Sequence, residues 1–93
     1  MIEAEQVWVF NHARGSLPSG IFTSLDLADR WIKQHRLTGT LTLYPVDTGV
    51  YDWALAEGLF RPDKPNQATP DFIGMFTSAS MEHHHYEDGR RQT

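Results

Sequence analysis

Apolar and polar positions change period several times along this chain, and those changes mark out its elements. In QVWVFN (6–11), Val7 and Val9 fall on one side of an extended backbone and Trp8 and Phe10 on the other. Two apolar faces predict a central strand, covered on both sides or facing a ligand groove with its aromatic side. HARGSLPSG (12–20), with Gly15, Pro18 and Gly20, predicts a long hairpin loop, and IFT (21–23) a short partner strand. The period then becomes helical. SLDLADRWIKQHR (24–36) places Leu25, Ala28, Trp31, Ile32 and His35 on one stripe. Ser24 suits the N-cap, Asp26 the first turn, and Gly39 the C-terminal stop. Asp26/Arg30 and Asp29/Lys33 stand acid-first at i, i+4 on the solvent side.

TLTLYP (40–45) returns to strict alternation, with Leu41 and Leu43 on one face and Thr40, Thr42 and Tyr44 on the other. DTGVYDWALAEG (47–58) predicts a second helix, capped by Asp47 or Thr48 and stopped by Gly58. RPDKPNQ (61–67) predicts a mobile polar loop, and TPDF (69–72) opens a short helical turn through about Met75. MEHHHYE (81–87) predicts a last strand. The order is therefore β-β-α-β-α-(short α)-β. It predicts an α+β fold with a small antiparallel or mixed sheet of three to four strands and two main helices on one face.

Length allows one domain over residues 1–93, with an ordered core at about 6–88 and a flexible tail at 89–93. Eight basic residues against twelve acidic ones give a net charge of −4, which argues against a nucleic-acid binder. The chain has no cysteine, so thiolate metal sites and a cysteine nucleophile are excluded. MIEAEQ does not read as a secretion signal, and no apolar run is long enough to span a bilayer. A cytoplasmic protein without membrane contact is expected.

The segments VWVFN, PSGIF, LYPVDTGVYDWA and FTSAS…HHYEDG together resemble a small family of uncharacterised bacterial proteins, over most of residues 6–89. That resemblance implies no activity, because none is established for the family. It does imply that the histidine run belongs to the fold, and eight residues follow His85, unlike a terminal tag.

The run itself suggests chemistry. On a strand, His83 and His85 share one face about 6.6 Å apart, close enough to share a zinc ion if a third ligand arrives. Glu87, His12 or His35 are the candidates for that ligand, while His84 and Tyr86 pack behind. The bland alternative is a solvated strand face. Three neighbouring imidazoles also permit a pH-sensitive interface. No G-x-S-x-G elbow or phosphate-binding glycine loop is present, and no catalytic residue is assigned. Ten of the aromatic side chains outnumber what one small core needs, so some should form an exposed patch. Tyr44, Tyr51, Trp53 and Tyr86, joined by Arg14, are its expected members. The expected function is a non-catalytic protein-binding or interaction module, inhibitory or immunity-type or self-associating, with no cofactor. The alternative is a His-based metal-binding protein or small metal-dependent enzyme using His83 and His85.

Overall fold

A computed structural model describes residues 5–93. Its elements are β1 (Gln6–His12), β2 (Pro18–Phe22), α1 (Leu25–Gln34), β3 (Gly39–Pro45), α2 (Val50–Ala56), a 3₁₀ turn (Pro65–Ala68), α3 (Pro70–Met75), β4 (His83–Glu87) and β5 (Arg90–Arg91). The strands form one sheet in the order β2-β1-β3-β4-β5, antiparallel at every junction. The α+β class agrees with the sequence pattern, and the expected three to four strands become five.

Strand register decides what is buried. Trp8 stands opposite Leu43, Phe10 opposite Leu41, and Leu41 opposite His84, so these side chains share one face. Helix α1 lies on that face. Its Ala28 and Ile32 join Trp8, Phe10, Leu41 and Tyr86 in the core, with Trp31 packed edge-on to Phe10 at a ring separation of 5.8 Å. Ser24 caps the helix by accepting the Leu27 N–H at 3.2 Å.

Helix α1 ends differently from expectation. Leu37 N–H reaches Ile32 O at 3.0 Å and Arg36 N–H reaches Lys33 O at 3.2 Å, a Schellman pair closed by Arg36 at φ 52. Gly39 is therefore not the helix stop but the first residue of β3. His35 leaves the buried stripe and is exposed, its ring edge-on to Trp31.

The second helix also departs from expectation. It starts at Val50 behind Gly49, with no side-chain cap from Asp47 or Thr48, and it does not share the α1 core. Its buried Tyr51 instead packs on Phe60, Phe72 and Phe76, at ring separations of 5.8, 6.3 and 5.4 Å. The Tyr51 hydroxyl donates to Gln67 O at 2.9 Å, while Gln67 Oε1 accepts from the backbone amides of Asp63 and Lys64. The polar 61–67 loop is thus held by its own hydrogen bonds to an aromatic cluster. Helix α3 starts as the TPDF pattern predicts, with Thr69 accepting the Phe72 N–H at 3.3 Å.

The fifth strand arises in the segment expected to be a flexible tail. Asp88 (φ 50) and Gly89 (φ 81) form a two-residue turn between the paired residues Glu87 and Arg90, the left-handed geometry that Asp-Gly favours. The turn is also tied to the body of the fold: Gly89 N–H donates to Leu37 O at 2.8 Å, and Asp88 N–H to Thr38 Oγ1 at 3.0 Å.

Candidate functional site

With α1 covering one face, the opposite side of the sheet is partly open: Val9 is buried there, Thr40, Thr42 and Tyr44 are half-buried, and Ile21, His83 and His85 are exposed. Register places Val9 beside Ile21 and Thr42, Asn11 beside Thr40, and Thr42 and Thr40 beside His83 and His85. Tyr44 follows on β3, opposite Val7. No residue in this stretch carries a formal charge with its histidines neutral. Charges begin at the far corner, where Glu87 faces Arg90. Ile21 is 67% exposed and Leu17, just before β2, is 76% exposed.

Two shallow cavities meet on this face. One, of about 480 Å³, is lined by Val9, Asn11, Pro18, Ile21 and Tyr44. The other, of about 290 Å³, runs past Thr40, Thr42, Tyr44, Met81, His83 and His85. Tyr44 borders both and divides an apolar half from a half lined by hydroxyls and imidazoles.

The expected aromatic patch is not assembled. Of its members, Tyr44 lies on the open face and Arg14 in the exposed β1–β2 turn, its N–H donating to His12 Nδ1 at 3.0 Å. Trp53 is half-buried on α2. Tyr51 and Tyr86 are buried, because each found a partner far along the chain. The residues that line this face are exposed Ile21 and half-buried Thr42 and Tyr44, over a buried Val9. Their signal was the second apolar face of β1, which does not meet α1.

The histidine run alternates as a strand must. His83 and His85 reach the open face, their rings edge-to-face at 5.2 Å. His83 Nδ1 lies 2.8 Å from Met81 O, and His85 Nδ1 lies 3.3 Å from Thr40 Oγ1. His84 turns inward, its ring 5.6 Å from that of Trp8 and its Nε2 3.6 Å from a Glu82 oxygen. Among the described residues, no three His, Asp or Glu side chains gather as a metal-binding group, so Glu87, His12 and His35 do not complete a triad.

On the core side, the Tyr86 hydroxyl donates to Asp29 Oδ1 at 2.8 Å, and Lys33 Nζ sits 2.9 Å from Asp29 Oδ2. Arg91 approaches the same carboxylate at 3.7 Å. Burial alone would raise the Asp29 pKa, but the Lys33 and Tyr86 hydrogen bonds and the two cations outweigh it and leave it lowered. Burial first, then the bond to Asp29 and its charge, push Tyr86 up to about 12.

An unfolded tyrosine titrates near 10, so Tyr86 adds stability that is complete below about pH 10 and fades as pH rises through about 12. Asp29 acts in the opposite sense, its contribution fading as pH falls through the acid range. Tyr86→Phe should cost about 1.5–3 kcal/mol at pH 7, as expected for a lost hydrogen bond to a charged acceptor. It should also flatten the loss of stability between about pH 10 and 12. Urea midpoints across that range measure both; an unchanged alkaline slope would remove the Tyr86–Asp29 bond from the account.

No curated protein and no solved structure matches the chain. The expected likeness to an uncharacterised family does hold, since a family model matches residues 7–92, nearly the whole chain. By that match the chain belongs to the family described as a domain of unknown function, DUF7710.

Proposed function

We propose that this domain is a non-catalytic protein-binding module whose contact surface is the open sheet face together with the β2 edge. One observation carries the reading: a charge-free, partly apolar strip, exposed at Leu17, Ile21, His83 and His85 and half-buried between them, lies on a protein of net charge −4. An exposed apolar patch on a small soluble domain usually marks an interaction surface. The two sheet edges support the same assignment. Strand β5 ends the sheet with two arginines, the kind of charge that discourages pairing. Strand β2 (PSGIF) has no charge, and among the described residues no strand pairs with its outer side, which suits an added strand.

The surface suits an apolar, uncharged partner rather than a strongly basic one. That moves the reading away from the inhibitor of a basic protein and toward self-association, for which the same strip on a second copy is self-complementary in charge. Ile21→Lys tests it, because the new charge enters the exposed strip without touching the core. Sedimentation velocity of the unaltered chain should show concentration-dependent association, weakened at least tenfold by Ile21→Lys. A chain that stays monomeric at every concentration, with or without the lysine, would overturn the self-association reading.

A further inference from the structure

We propose that His83 and His85 chelate one divalent transition-metal ion, of the copper(II), nickel or zinc class, on the open face of β4. The proposal is independent of protein binding by that face.

Three features of the pair support it. The first is placement. Both side chains leave the same face of β4, and pairing to Thr42 and Thr40 of β3 holds the backbone beneath them. A chelate on a paired strand requires little ordering when the ion arrives.

The second is spacing. With metal–nitrogen bonds of about 2.0–2.1 Å, an imidazole centroid lies about 3.2 Å from the ion, so two rings on a tetrahedral ion stand about 5 Å apart. The His83 and His85 rings are 5.2 Å apart.

The third is protonation. Met81 O can only accept, so His83 Nδ1, at 2.8 Å, must carry the hydrogen. In the neutral ring His83 Nε2 is then the nitrogen that keeps the lone pair a metal requires. Ligating histidines are commonly oriented by such a bond from the other ring nitrogen to a carbonyl. At His85, Thr40 Oγ1 lies 3.3 Å from Nδ1 and can fix the same tautomer by accepting.

No triad of His, Asp or Glu donors forms among the described residues, so the pair is a two-ligand site. The remaining positions fall to water, for which the adjoining cavity of about 290 Å³ has room, or to a donor from another molecule. Two imidazoles favour copper(II) over nickel and zinc.

The test uses the full, metal-stripped chain titrated separately with copper(II), nickel and zinc salts by calorimetry. Histidine side-chain nitrogen NMR follows zinc addition. One equivalent should bind, with copper tightest, and the Nε2 signals of both His83 and His85 should shift. His83→Ala and His85→Ala should each weaken binding at least tenfold, while His12→Ala and His35→Ala leave it unchanged. Thr40→Val should weaken it about 10-fold if the hydroxyl orients His85, the lower end of the effect seen on losing such a partner. Binding of equal strength in the His83→Ala and His85→Ala variants would overturn the proposal. So would metal shifts at other histidines alone, a readout of the unaltered chain that stands even if a variant fails to fold.

Discussion

Gly39→Ala is expected to destabilise the domain by about 3–4 kcal/mol, near the upper end for a single added carbon in a packed interior. Gly39 opens β3 at a buried position, paired with His12 on one side and Tyr86 on the other. A Cβ there would overlap the Asn11 carbonyl oxygen and come within 2.7 Å of the Phe10 ring. The Asn11 carbonyl is backbone of the neighbouring strand and cannot swing aside, and Phe10 is among the most completely buried side chains. Relief therefore means parting β1 from β3 at the end of their ladder, beside the buried Phe10. Against a total stability of about 5–15 kcal/mol for a domain of this kind, the loss is large. Urea unfolding monitored by the tryptophans measures it. A loss under about 1 kcal/mol would mean that the two strands are not this close.

The second large effect is at the β4–β5 turn. Gly89 sits at φ 81, and a Cβ there would stand 3.0 Å from Arg36 Cα and 3.2 Å from both Ile32 O and Lys33 Cα. Gly89→Ala thus combines a left-handed backbone penalty of about 1 kcal/mol with a collision against the last turn of α1. The expected cost is about 2–3 kcal/mol. Gly58 supplies the comparison: its φ is 72, but no atom of the described residues lies within 4 Å of the added carbon. Gly58→Ala should cost only the backbone share, about 1 kcal/mol. Equal losses at the two positions would show that the turn does not rest on α1.

What could be read from the sequence was what short-range physics decides. Helix α1 was legible because its cap, stripe and acid–base pairs all lie within a few residues of one another. The alternation of His83, His84, His85 and Tyr86 was legible because a strand offers only two faces. Gly39 was misread because proximity to a helix end and close approach of a distant strand leave the same mark, a glycine. Strand β5 was missed although Asp88 and Gly89 spell a hairpin turn, since Arg90 and Arg91 resemble a strand only once Glu87 and Tyr86 are there to pair with them. Tyr86 and Tyr51 were placed on the surface for a related reason. Their partners, Asp29 for one and Phe60, Phe72 and Phe76 for the other, are assigned by tertiary folding. The Val7 and Val9 side predicted a covered face, and Val9 is indeed buried, but α2 gathers its own aromatic cluster and the β2 end of that face stays exposed at Ile21.

That division of the apolar residues affects how the molecule moves. Its radius of gyration is 14.8 Å, whereas a compact domain of this length has one of about 12 Å. The α2–α3 region, closed over Tyr51 and three phenylalanines, carries its own small reserve of buried surface. Such a unit opens as a separate cooperative piece, at a lower free energy than the whole. Amide hydrogens of α2 and α3 would then reach solvent while those of β1 and β3 stay protected, so the domain has two opening free energies.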